Sequence, residues 1–259
     1  MTLTFYKYQG TGNDFIILNN LDRKYSLLTA QIHHLCNRRF GIGADGLMLL
    51  NASDKYDFEM EYYNADGKES SMCGNGGRCL VKFAAHQKIN KSKYQFNAID
   101  GIHEAIIQDD GWVNLKMKDV HGIKNWFGDS TLDTGSPHYI RQSADVRGMD
   151  VYKEGRDIRY SHEFKEKGIN VNFVQEEDND NIFVRTYERG VEDETLSCGT
   201  GVTAAALVFA HNETGFNRVN VTTLGGKLAV EFEKMGDETF ENIWLCGPAE
   251  FVFQGTVEL

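Results

Sequence analysis

Two stretches decide the fold: YYNADGKESSMCGNGGRCLVKFAAH at 62–86 and TYERGVEDETLSCGTGVTAAALVFAH at 186–211. Each runs from an apolar strand through a polar, glycine-containing loop to Cys-Gly-X-Gly, and then into an apolar helix. Cys73 and Cys198, which open the two glycine turns, stand 125 residues apart (198 less 73) in a chain of 259. The same offset brings GTGNDFI at 10–16 onto GSPHYI at 135–140, and the hairpin glycine Gly101 onto Gly226. A repeat of nearly half the chain is a duplicated domain, since solenoid repeats recur every ~20–50 residues.

Working outward from these stretches, alternation and apolar runs predict strands at 3–8, 15–19, 47–50, 58–63, 102–108 and 113–117, with helices at 30–37 and 74–86. The second half reads as strands at 138–141, 170–175, 182–187, 227–232 and 242–246, a helix at 199–212, and a hairpin turn at EEDNDN, 176–181. The expected architecture is α+β, with two pseudosymmetric α/β domains, each a mainly antiparallel sheet around a central helix. The polar stretch 118–130 is the expected boundary. It gives an N-terminal domain of 1–117, completed by a returning C-terminal strand at 250–259, and a C-terminal domain of 118–249.

Composition excludes several function classes. A formal charge of −11 and the absence of any long Lys/Arg run argue against a phosphate backbone or an anionic membrane as partner. The longest apolar run, 204–210, is far short of the ~20 residues a bilayer span needs. The N-terminus MTLTFYKYQG has no export signature, so a cytoplasmic location is expected. Five scattered cysteines in such a chain read as reduced thiols, not as a disulfide framework.

Most of the remaining motifs have plain readings. GIGADG at 41–46 matches the dinucleotide fingerprint in letters, but a helix precedes it and a strand follows, the reverse of what that fingerprint needs. His33, His34 and Cys36 lack a second ligand pair at metal spacing. No cofactor or metal is expected. The Cys-Gly-X-Gly turns are different, because each sets a thiol at the first turn of a helix. Exposed backbone N–H groups and the macrodipole there favour a thiolate and a bound anion. Two such thiols in a duplicated chain suggest either reversible disulfide exchange or a two-base proton transfer, in which one thiolate takes a proton from a carbon and a thiol returns one to its opposite face.

At these residues the chain resembles the diaminopimelate epimerase family, cofactor-independent isomerases of bacterial lysine and peptidoglycan synthesis. The likeness is carried by GTGNDFIIL from Gly10, RRFGIGADGL from Arg38, NADGKESSMCGNGGRC from Asn64, GSPH from Gly135, GINVNFV from Gly168, YERGVEDETLSCGTG from Tyr187 and GPAEFVFQG from Gly247. It implies epimerisation of LL- to meso-diaminopimelate with Cys73 and Cys198 as acid/base pair, in a cleft between the domains. It also implies substrate contacts from Asn13, Asn64, Gly74, Asn75, Asn170, Glu188, Arg189, Gly199 and Thr200, with support from His138 and Ser136. The implied partner is a small amino acid, and a homodimer is the implied assembly. Plainer readings stand beside these: Asn13 and Asn64 as turn formers, Glu188 and Arg189 as a surface ion pair. Two departures stand out. Ser136 occupies the place of the family's usual Asn before Pro-His, and the stretch leading to Cys198 is one residue longer, through Glu192 and Asp193.

Overall fold

The computed structural model describes residues 1–178 and 180–259, which cluster into two compact units, Met1–Leu115 with Gly247–Leu259 and Lys116–Cys246. The first unit contains strands β1 (Thr2–Gly10), β2 (Asn13–Asn20), β3 (Gly46–Asn51), β4 (Phe58–Asn64), β5 (Tyr94–Ala98), β6 (Gly101–Ile107) and β7 (Val113–Lys116, its last residue counted with the second unit). Helix α1 (Thr29–Cys36) lies between β2 and β3, and α2 (Gly74–His86) between β4 and β5. The second unit opens with three short strands, β8 (Val120–His121), β9 (Lys124–Trp126) and β10 (Asp129–Asp133). It continues with β11 (Pro137–Gln142), α3 (Val151–Arg159), β12 (Asn170–Asp178), β13 (Asn181–Glu188), β14 (Asp193–Thr195), α4 (Gly199–Val208), β15 (Gly215–Thr223), β16 (Gly226–Gly236) and β17 (Thr239–Gly247). The last strand, β18 (Glu250–Glu258), returns to the first unit and pairs antiparallel with β1.

The duplication is visible in the strand ladders. In the first unit β1–β2 is antiparallel, β2–β3 parallel, β3–β4 antiparallel, β4–β5 parallel and β5–β6 antiparallel. In the second, β10–β11, β11–β12, β12–β13, β13–β15 and β15–β16 repeat that order of directions. Each parallel pair needs a crossover, and the helices α1, α2, α3 and α4 provide them. The hairpin glycines Gly101 and Gly226 occupy equivalent places with φ of 121° and 138°, a region that only glycine enters without strain.

Each unit covers its sheet on both faces. Ile16, Leu18, Leu47 and Leu49 pack with Ile32 and Leu35 of α1, whereas Phe15 and Met48 meet α2 at Gly76. Strand β3 is therefore buried at every position and reads as the unbroken apolar run GLMLL. Tyr139, Val171, Phe173 and Phe183 form the matching layer of the second unit with Val151 of α3. Helices α2 and α4 are buried almost all round. Their first turns are poor helix formers, GNGG and GTGV, so tertiary packing and not propensity holds them.

The predicted elements recur in place, and α2 begins and ends where its sequence pattern does. Helix α4 stops at Val208, four residues before the expected end. Strand β5, helix α3, strand β15 and the short strands β8, β9, β10 and β14 lie outside the predicted elements. The ladder of the predicted 176–181 hairpin closes at Asp178↔Asn181, and its Asn179 lies outside the described residues.

Candidate active site

In the first unit four of the five predicted residues, Asn13, Cys73, Gly74 and Asn75, meet where the β1–β2 turn approaches the start of α2. Cys73 is the N-cap of α2, in extended backbone, and its side chain makes no capping bond. Ser, Thr, Asp or Asn at an N-cap stabilises a helix by about 1 kcal/mol over a side chain that does not cap. A thiol here forgoes that stability. Cys73 Sγ donates to Asn13 Oδ1 at 3.5 Å, and Asn75 Nδ2 donates to the same oxygen at 3.4 Å. The Asn13 amide is oriented from its other end, where Nδ2 donates to Asp45 Oδ2 at 2.6 Å. A carboxylate only accepts, so the Asn13 carbonyl must face Cys73.

Behind Asn13 lies a chain of charges. Arg38 bridges Asp45 at 2.8 Å and Asp14 at 2.6 Å, and Asp14 pairs with the buried Lys7 at 2.7 Å. Burial alone would raise the Asp14 carboxyl, but hydrogen bonds from Arg38 and Lys7 outweigh it and hold the group down at about 2. Fully buried Arg78 donates to Asn75 Oδ1 at 3.0 Å and to the carbonyls of Gly74 at 3.4 Å and Pro248 at 3.5 Å. It thereby ties the first turn of α2 to the segment leading into β18. Asn64 opens the NADG turn, its carbonyl accepting from Gly67 N–H at 2.9 Å. Its side chain is exposed and is not a member of the Cys73 cluster.

The second unit repeats the plan with different partners. Cys198 is the N-cap of α4, again without a capping bond, and is 8% exposed, with Sγ 3.5 Å from Thr200 Oγ1. Gly199 and Thr200 place their N–H groups in the first turn, as Gly74 and Asn75 do in α2. Thr134 Oγ1 donates to the Thr200 carbonyl at 2.9 Å, fastening the β10–β11 turn to the helix start. Ser136, Asn170 and Arg189 are brought together: Asn170 Nδ2 donates to Ser136 Oγ at 2.9 Å, Arg189 Nη2 donates to the same oxygen at 3.3 Å, and Asn170 Oδ1 accepts from Arg189 N–H at 2.9 Å. Arg189 also donates to the Lys167 carbonyl at 3.2 Å, while Glu188 accepts from Thr195 Oγ1 at 2.9 Å. The long connection before Cys198 is closed by Glu192 N–H donating to the Glu188 carbonyl at 2.8 Å, with Gly190 and Glu192 at φ of 92° and 58°.

His138 is completely buried on β11. Its Nδ1 lies 3.1 Å from Asn172 Nδ2, and among the described residues no partner meets Nε2. Burial lowers its pKa to about 3; nearby Asp133 opposes the shift and Arg189 adds to it. The other three cysteines, Cys36, Cys79 and Cys246, are buried. Burial pushes the thiols of Cys36 and Cys79 up to about 12.

Sequence reasoning missed Asp45, Arg78, Asn172 and Thr186, all of which hold predicted site residues or their neighbours in place. Three of them carry a usable signal: Arg78 interrupts an apolar helix, and Asn172 and Thr186 interrupt apolar strands. A polar side chain at a position due for burial has to find a partner.

The fold and its two N-cap thiols define a class: a duplicated α+β protein whose architecture recurs in epimerases and in PhzF proteins. A PhzF-family protein of Bacillus anthracis superposes with a TM-score of 0.77 at 14% identity over all of both chains. A hydroxyproline epimerase from Agrobacterium vitis superposes at 0.68 and 13% identity, over all of this chain and 93% of the other. The chain belongs to the diaminopimelate epimerase family, whose model matches residues 5–121 and 130–252. It is 49% identical over 257 residues to the diaminopimelate epimerase of Flavobacterium psychrophilum, covering 98% of this chain and 100% of that protein. To the one from Chlorobaculum tepidum it is 42% identical, covering 96% and 99%.

Proposed function

We propose that this protein is an isomerase that converts LL-2,6-diaminopimelate to meso-diaminopimelate without a cofactor, for lysine and peptidoglycan precursor synthesis, with Cys73 and Cys198 as its acid/base pair. One observation carries the two-thiol assignment: in both halves of the duplication a cysteine that does no capping work occupies the N-cap of a buried helix. Inversion at a carbon requires a base on one face and an acid on the other, and a duplicated chain supplies two equivalent thiols for those roles. One sulfur takes the Cα proton as a thiolate, the other delivers its proton as a thiol, and the reverse reaction exchanges their parts.

Removing a proton next to a carboxylate builds negative charge on that carboxylate. The N–H groups of Gly74, Asn75, Gly199 and Thr200, at the positive ends of two helices, are the donors we assign to it, an oxyanion-hole role. The distal amino-acid end must be held separately so that only one centre inverts. Arg189 is our candidate for the distal carboxylate and Glu188 for the distal ammonium, with Asn13, Asn64, Asn170 and Ser136 completing the contacts; an arginine fork binds a carboxylate through two charge-assisted bonds. His138 stands beside this machinery as a neutral group.

In this reading the enzyme is cytoplasmic and homodimeric. No described helix is long and apolar enough to cross a membrane. The exposed run Phe251, Val252 and Phe253 on β18 is the apolar surface we assign to the partner subunit. The deciding experiment incubates LL-diaminopimelate with the protein in D₂O. Deuterium at Cα together with appearance of the meso isomer is expected, and an unlabelled, unchanged substrate would refute the assignment.

A further inference from the structure

Asn172 was not among the residues expected to serve the site, yet it is completely buried and each of its amide atoms is engaged. Nδ2 lies 3.1 Å from the Tyr139 carbonyl and 3.1 Å from His138 Nδ1, and Oδ1 accepts from Thr186 Oγ1 at 2.9 Å. The backbone carbonyl of Tyr139 can only accept, which fixes nitrogen, not oxygen, on that side of the amide. An amide nitrogen has two protons. One goes to Tyr139, and the other points at His138 Nδ1, so Nδ1 must be the unprotonated, accepting nitrogen. A neutral imidazole with Nδ1 bare carries its proton on Nε2.

That proton is the unsatisfied part of an otherwise complete network. His138 is 0% exposed, and among the described residues Nε2 has no hydrogen-bond partner. A buried donor left without an acceptor is destabilising, so an N–H kept in this state is a candidate for a partner that arrives during the reaction. The charged groups around the ring come from two directions: Asp133 at the end of β10 favours the imidazolium and Arg189 after β13 disfavours it, while burial of the ring outweighs both.

We propose that Asn172 is a positioning residue that locks His138 in the neutral Nε2–H tautomer, so that His138 serves the active site as a fixed hydrogen-bond donor and not as a proton carrier. Thr186 completes the lock by engaging the Asn172 oxygen. The acceptor for the Nε2 proton is an anion of the reaction, a thiolate sulfur or a substrate carboxylate oxygen. This role rests on the epimerase reading, whereas the tautomer does not. The arrangement also explains the second glycine of the CGTG turn: a Cβ on Gly201 would stand 2.3 Å from Asn172 Oδ1, so the helix must present a glycine where the lock is seated.

The test is nitrogen NMR of the histidine ring in the wild-type protein labelled with ¹⁵N, with His138 assigned by comparison with His138→Gln. The Nε2–H neutral pattern is expected to persist unchanged from about pH 5.5 to about pH 8.5, a range in which an ordinary histidine titrates. Asn172→Asp replaces the donor to Nδ1 with an acceptor of nearly the same shape. It should move the ring proton to Nδ1 or charge the ring, and lower kcat about a hundredfold with KM changed less than about threefold, the signature of a donor lost from the transition state alone. An Nδ1–H ring in the wild type, titration of His138 within that range, or an Asn172→Asp enzyme with an altered tautomer and full kcat would overturn the proposal. If Asn172→Asp does not fold, the wild-type spectrum still decides the tautomer. Because that spectrum is read without substrate, a wild type that fails to exchange the Cα proton would refute the epimerase reading and leave the tautomer answered independently.

Discussion

Gly76 and Gly201 are equivalent residues of the duplication, third in α2 and α4, yet alanine should be damaging at Gly201 and nearly neutral at Gly76. At Gly201 the added Cβ falls 2.3 Å from Asn172 Oδ1 and 3.3 Å from its Cγ. Asn172 must move by about 1 Å to restore van der Waals separation, and it is held by bonds to His138, Tyr139 and Thr186. Losing two of those bonds costs about 2 kcal/mol, and overpacking a filled interior costs about 1–3 kcal/mol more. Replacing glycine by alanine within a helix returns about 1 kcal/mol. The net expectation for Gly201→Ala is a loss of about 2–4 kcal/mol. At Gly76 the nearest atoms are Met48 Sδ at 3.3 Å, Phe15 Cζ at 3.4 Å and Cys73 Cβ at 3.5 Å. A methionine sulfur yields easily, so the helix gain offsets the crowding and Gly76→Ala should stay within about 1 kcal/mol of the wild type. Urea unfolding followed by circular dichroism reads both, with the slope of the transition checked for constancy. Equal stability of the two variants, or greater damage from Gly76→Ala, would show that Asn172 is not held as described.

Four further outcomes are expected. Serine in place of either Cys73 or Cys198 should abolish epimerisation, yet leave stability unchanged or raised by up to about 1 kcal/mol, because serine caps a helix where the thiol does not; assays of turnover and unfolding on the same samples check both halves. Asp14 is held near pKa 2, below its unfolded value, so it contributes stability that is complete above about pH 4 and lost as pH falls toward 2. The stability difference between wild type and Asp14→Asn should therefore be largest near neutrality and shrink across that window; a difference independent of pH would contradict the Arg38 and Lys7 contacts. Arg189→Ala should lower kcat/KM for diaminopimelate by about 1.5–3.7 decades, the ~2–5 kcal/mol of a charge partner lost from a site that bound substrate covers, and lysine, which lacks the distal carboxylate, should not be racemised. Efficient racemisation of lysine would remove Arg189 from the distal role. Native alkylation with iodoacetamide, located by mass spectrometry, should modify Cys73 before Cys36 and Cys79, whose burial lifts their thiols to about 12.

The residues themselves determined the duplication, the start of α2 and α4, the order of most strands and the two thiols. Those features are local: a period of two or 3.6, a glycine turn and a cysteine at its head can be read within some twenty residues. Helix α3 escaped because its sequence, VYKEGRDIR, buries only Val151 and Gly155, too little for an apolar pattern to show. That β18 lies against β1 with Thr2 opposite Glu258 is a pairing across nearly the whole chain, which the repeat suggested and the ladder specifies. What only the tertiary structure decided is how the polar groups are oriented. That Asp45 faces Asn13, that Arg78 ties the head of α2 to Pro248, and that Asn172 leaves His138 with its proton on Nε2 all depend on which acceptors long-range packing brings within about 3 Å, since a buried amide or imidazole takes its orientation from its neighbours and not from its position in the chain.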